Sequence, residues 1–217
     1  MINDWLLFLI SIMLLCGVLM VVGTHITSVL KLLVAQNTLL AVYLLTKAIY
    51  VPNAALFVSV AITVIVKVII LPLLLWKLAR FLHLSGRVEP IVNKPTLLLL
   101  TTALVFFALI LSRNMLTFLP HTSAAGFSLA LANAFVAMLL VIVRRKAVTQ
   151  VIGLLVLENS IFILAAALST GFPWLIELGM SFDVLVGFMI FTLFLMRIQR
   201  EYGSLQIHNF EKLKERV

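Results

Sequence analysis

Apolar runs of membrane-crossing length recur along this sequence from one end to the other, and they fix its solvent before anything else does. A helix needs about 20 consecutive apolar residues to cross the hydrocarbon core. Lipid offers no partners to backbone N–H and C=O groups, so the chain must form helices or a closed barrel. The runs lack strict alternation, which selects helices. Composition agrees: 64% of residues are hydrophobic and 11% charged, where a soluble domain carries about 25% charged residues.

The fold class is therefore all-α, a polytopic membrane helix bundle forming a single membrane domain over 1–217. Seven spans are expected, at roughly 4–22, 27–48, 54–78, 96–113, 124–143, 147–169 and 174–197, followed by a tail at 204–217. The N-terminus has no basic region and no small-residue cleavage pattern, so the first run reads as a retained helix rather than a signal peptide. Thirteen basic residues fall on one set of alternate connections and two, Lys47 and Arg113, on the other. Positive charge marks the cytoplasmic side, which puts the N-terminus outside and the tail inside a cell membrane. The net charge of +8 is then a topology signal. Its clustering at span ends speaks against nucleic acid as a partner.

Cofactor chemistry finds little to hold it. Cys16 is the single cysteine, so neither a disulfide within the chain nor a thiolate cluster can form; inside an apolar run it reads as a packing residue. His25, His83, His121 and His208 all fall at or beyond span ends, which argues against a haem held by two of them inside the bilayer. No metal, cofactor or catalytic residue is expected.

Polar residues inside the spans are where function is legible. The second span carries Gln36 and Asn37 near its centre, with Ser28, Gln36 and Tyr43 expected on one face. Interhelical hydrogen bonding and a water-lined path both fit these amides. In the third span Ser59, Thr63 and Lys67 are spaced four apart and stack on one face. Pro72 follows and must remove a backbone hydrogen bond, predicting a kink with local water beside Lys67. Thr101, Thr102 and Asn133 in the fourth and fifth spans read as scaffold. The sixth span, QVIGLLVLENSIFILAAAL, holds Glu158 near mid-depth with Asn159 beside it. In the seventh, Gly179, Asp183 and Gly187 form a small-residue seam with a carboxylate in it, and Glu177 sits near the outer end.

Lys67, Glu158 and Asp183 lie at similar depth. Each charge costs about 2.5–3.5 kcal/mol at the bilayer centre, so three unpaired charges facing lipid would cost roughly 8–10 kcal/mol. They must face inward, pair, or sit in water. With one lysine and two carboxylates, desolvation favours protonating one acid. The set then reads either as a proton or ion relay, with Ser59, Thr63, Gln36 and Asn159 as a polar path, or as a static buried network.

These same segments resemble a known family. RRKAVTQVIGLLVLENSIFILAAAL and the ending DVLVGFMIFTLFLMRIQREYGSLQIHNFEKLKE are similar to the K subunit of respiratory complex I, over 144–217. The whole chain resembles hydrogenase-4 component E, a larger relative of that subunit. ITVIVKVIILPLLLWKLAR contributes Lys67 and Pro72 to the match, LENS contributes Glu158, and SFDVLVG contributes Asp183. The K subunit places its first buried Glu where this sequence has Leu155; Glu158 lies one turn on along the same face, a shift of about 4.5 Å. Asp183 replaces the second Glu. The resemblance implies a non-catalytic membrane subunit of a complex-I-like hydrogenase or formate hydrogenlyase assembly. It would partner other membrane-arm subunits and peripheral hydrogenase subunits and help couple electron transfer to proton or sodium movement. The alternatives are a subunit of a multisubunit cation/proton antiporter and a purely structural membrane anchor.

Overall fold

The computed structural model describes residues 2–50, 54–81, 90–116 and 124–168, together with the isolated positions Val186, Gly187, Met189, Thr192 and Arg197. Among these residues six helices are long and apolar enough to cross a membrane, and the chain is a helical membrane bundle. The expected seventh span at 174–197, with Glu177 and Asp183, lies outside the described residues apart from those isolated positions, as does the tail at 204–217.

Helix α1 (Ile2–Val22) and helix α2 (Ile26–Tyr50) are separated by the short break at Gly23. The third span is built in three pieces: α3 (Ala54–Ile62), a π-helical stretch (Thr63–Ile70) and α4 (Leu71–Phe81). Helix α5 (Lys94–Leu116) carries Pro95 in its first turn, where a missing N–H costs nothing. Helices α6 (Ala124–Val143) and α7 (Ala147–Leu168) are joined by a tight connection through Arg144, Arg145 and Lys146.

Helix α6 is the hub, packing against α1, α5 and α7. Half of its buried residues are small: Gly126, Ser128, Ala130, Ala132, Ala134 and Ala137. Small residues let helix backbones approach where lipid supplies no hydrophobic drive between them. Helix α2 packs on α1 and on the third span, and it also reaches α7. Two core clusters result, one around Met20, Leu33, Leu75, Leu140 and Ile152, the other around Ile10, Leu40, Tyr43, Phe162 and Ile163. Cys16 is buried in the first of them, as a packing residue should be. Large apolar side chains such as Phe8, Leu99, Phe106 and Ile142 face outward, the arrangement a lipid solvent calls for.

One approach is closer than the rest. A Cβ on Gly153 of α7 would stand 2.7 Å from Val141 Cγ2 and 2.9 Å from the Val141 backbone nitrogen of α6. Only glycine lets these two helices meet at that point, about a turn and a half before Glu158.

The predicted face of α2 needs one correction. Gln36 and Tyr43 are buried, but Ser28 is exposed. Eight residues advance a straight helix by about 80° beyond whole turns, which carries Ser28 off the face the other two share.

Candidate functional site: a lysine–glutamate pair in an asparagine frame

The expected kink at Pro72 takes a specific form. Proline cannot donate a hydrogen bond, and its ring collides with the carbonyl four residues back. The third span answers by widening into the π register over Thr63–Ile70, and the Leu71 N–H bonds to the Val66 carbonyl, five residues back. The next rung of that series would run from residue 72 to the Lys67 carbonyl, and Pro72 has no N–H to make it. Asn37 of α2 supplies the donor instead: its Nδ2 donates to the Lys67 carbonyl at 2.5 Å. A carbonyl orphaned by sequence is thus satisfied from a neighbouring span, as burial in lipid demands.

The Lys67 side chain closes a circuit around the same groups. Its Nζ lies 2.8 Å from Glu158 Oε1. It also donates to Asn159 Oδ1 at 3.4 Å, and it sits 5.7 Å from the centroid of the Phe162 ring. Asn159 Nδ2 in turn donates to Asn37 Oδ1 at 2.6 Å. The chemistry leaves no freedom in how the amides point. An ammonium only donates, so the Asn159 oxygen faces it. The Asn159 nitrogen then faces the Asn37 oxygen, and the Asn37 nitrogen faces a carbonyl that only accepts. Three elements, α2, the π stretch and α7, are tied by a ring whose donors all run in one sense, the arrangement in which hydrogen bonds reinforce one another.

The ring's two amides are neutral, so among the described residues at this site the charged side chains are Lys67 and Glu158. The Lys67 side chain is 3% exposed and that of Glu158 12%. The 12% belongs to the Glu158 stem, because both of its carboxylate oxygens are buried, so the charged groups of both partners are enclosed. At 2.8 Å the pair is within direct proton-transfer distance, with no water needed between the partners.

The other expected site residues divide. Ser59 and Thr63 are buried on the same side of the third span as Lys67. The wide π turn takes up the extra residue and keeps positions four apart nearly in line. Gln36 is buried and donates to the Met13 carbonyl of α1 at 3.3 Å, which realises the interhelical bonding that was one of its two readings. Its Oε1 and the Oδ1 of Asn133 are buried acceptors with no hydrogen-bond donor among the described residues. Asp183 lies outside the described residues.

Two cations serve the structure rather than the site. Arg144 is 1% exposed and donates to the Met20, Val21 and Gly23 carbonyls, the last two at 3.3 and 2.8 Å, capping the C-terminal end of α1. Its own carbonyl accepts from Gln150 Nε2 at 2.9 Å. Burial pushes this guanidinium down from its ordinary range, yet arginine keeps its proton in proteins. At the opposite end of the bundle, Lys47 of α2 donates to the Ala166 carbonyl in the last turn of α7 at 2.7 Å. Cations near helix C-termini complement both the free carbonyls and the dipole.

No family model and no solved structure matches the chain. An uncharacterized protein of Mycobacterium tuberculosis is 28% identical over 206 residues, covering 93% of this chain and 92% of that one. Hydrogenase-4 component E of Escherichia coli K12 is 22% identical over 150 residues, 69% of each chain, and the component E of Shigella flexneri gives the same figures. The chain is a multi-pass membrane protein distantly similar to this hydrogenase subunit.

Proposed function

We propose that this chain is a membrane subunit of a hydrogenase-like complex and that it takes part in proton or sodium movement across the membrane. Redox chemistry belongs to partner subunits in this reading. The distant similarity to hydrogenase-4 component E supports membership of such an assembly. The Lys67–Glu158 contact of 2.8 Å supports the coupling role. Glu158 is the group that exchanges a proton. Lys67, held by the asparagine frame, is the cation that faces it. Asp183 is the third titratable member, and Ser59, Thr63 and Gln36 provide polar groups leading away from the pair.

The test pairs assembly with translocation. Glu158→Gln keeps the shape and removes the proton site, so the complex should assemble while ions moved per electron fall. Lys67→Met should act in the same direction, with a further loss of yield because it strands Glu158. A static network gives a different pattern. Either single change then lowers assembly by about 3–5 kcal/mol, and Lys67→Met combined with Glu158→Gln restores it without any specific loss of pumping. Parental translocation by an assembled Glu158→Gln complex would rule out the relay.

A further inference from the structure

Between α2 and the third span lies a groove of about 560 Å³. This volume falls among those of ordinary ligand sites, about 300–1,000 Å³. Its walls are Leu30, Val34, Val68, Ile69, Pro72 and Leu73, almost wholly apolar. Its polar lining is Thr27 and Lys31 from the first turns of α2, and Trp76 from α4. Lys31 is exposed. One turn beyond Trp76, the exposed Arg80 places its guanidinium 3.7 Å from the centroid of the Trp76 ring.

Depth gives these residues a meaning. Residue 31 stands five positions inside the start of α2 at Ile26, and residue 76 five positions before the end of α4 at Phe81. At 1.5 Å per residue both lie about 7.5 Å inside their helix ends, at one level and on one side of the bilayer. That is the side on which the chain concentrates its basic residues. A lysine this deep reaches upward toward headgroups along its own apolar stem, and a tryptophan at that level marks the headgroup boundary.

We infer that this groove binds one anionic phospholipid, with an acyl chain along Val34, Val68 and Ile69 and the headgroup phosphate between Lys31 and Arg80. Charge complementarity selects the occupant. The apolar walls suit any lipid tail, whereas Lys31 and, about one turn nearer the helix end, Arg80 suit a headgroup with net negative charge and disfavour a zwitterionic one. The site is distinct from the Lys67–Glu158 pair, and its existence does not depend on the function proposed for that pair.

The experiment is native mass spectrometry of the full-length protein released from detergent, titrated with phosphatidylglycerol or with phosphatidylcholine of identical acyl chains. One phosphatidylglycerol should bind at several-fold lower concentration than phosphatidylcholine. Lys31→Ala and Arg80→Ala should each reduce that preference about fivefold, the effect of one basic residue at an anionic surface. Lys31→Arg should keep it, and Val34→Trp should fill the groove and remove both lipids. Both cation variants are at exposed positions and should leave the helical circular dichroism unchanged. Equal binding of the two lipids overturns the inference, as does a Lys31→Ala protein with undiminished preference. Displacement by inorganic phosphate would mean a free-anion site and overturns it too. So does a protein helix crosslinked into the groove of the native complex.

Discussion

Pro72 and Asn37 are coupled through a group that belongs to neither of them, and a double-mutant cycle measures that coupling. Asn37→Ala removes the 2.5 Å donor to the Lys67 carbonyl and the acceptor for Asn159 Nδ2. Hydrogen bonds between membrane helices average about 0.6 kcal/mol and reach about 1.7, because a group that loses its partner usually finds another. The Lys67 carbonyl has lost its main-chain alternative to Pro72, so its share lies at the top of that range. Pro72→Ala returns an N–H to the chain. Whether the span keeps the π register or reverts to α, the Lys67 carbonyl then gains a backbone donor, from residue 72 or from Leu71. Asn37→Ala should therefore cost about 1–2 kcal/mol less in the Pro72→Ala background than in the parent. Equilibrium unfolding of the purified protein in mixed detergent micelles gives the four stabilities. Effects that add to within about 0.5 kcal/mol would refute the claim that Asn37 substitutes for the bond Pro72 cannot make.

Other substitutions test the frame around the site. Arg144→Met should destabilise by about 1.5–3 kcal/mol, the worth of a charge-assisted bond, with Arg144→Lys only partly restoring it; the same unfolding assay reads both. Gly153→Ala should cost about 1–3 kcal/mol through overpacking. Val141→Ala should not fully rescue it, because the second contact is backbone, the Val141 nitrogen at 2.9 Å from the new Cβ. Lys47→Met should loosen the end of α7 by about 0.5–1.5 kcal/mol, seen as faster amide exchange around Ala166. The basic asymmetry predicts opposite locations for the two chain ends, the N-terminus outside. Labelling of single cysteines at both ends from the same face would contradict it.

The helices were legible because lipid makes the same demand on every residue of a span, so mean apolarity alone marks them. The buried charges were legible for the converse reason: Lys67 and Glu158 are too costly to leave alone, and they meet. Asn37 was visible as a mid-span amide, but its task was not. The signal was present in Pro72, which orphans a carbonyl that an amide at matching depth must satisfy. What the sequence left unmarked was the choice of the π register, since a proline kink and a widened turn solve the same steric conflict. Arg144 was hidden for another reason. It stands in a run with Arg145 and Lys146 at a span end, where all three read alike as topology signals. Only the position of the α1 terminus singles out the first. Lys47 was hidden in the same way, counted as an outer charge when its work is at the end of α7. Gly153 gave no hint of whether it met a helix or lipid.

The Arg144 cap also sets an order on biogenesis. Its acceptors lie in the chain 121 to 124 residues before it. At a synthesis rate of about 5–20 residues per second, α1 waits roughly 6–25 s in the membrane before the arginine that finishes its end has been made. During that interval its last carbonyls depend on headgroups, water or the insertion machinery. Helix α1 thus enters the bilayer long before its end is fastened, and it is fastened by the connection that leads into the helix bearing Glu158. A nascent chain halted before residue 144 should leave the end of α1 open to thiol probes placed at position 22, and one extended through α7 should close it. The end of α1 would thereby register that synthesis has reached the connection into the helix bearing Glu158.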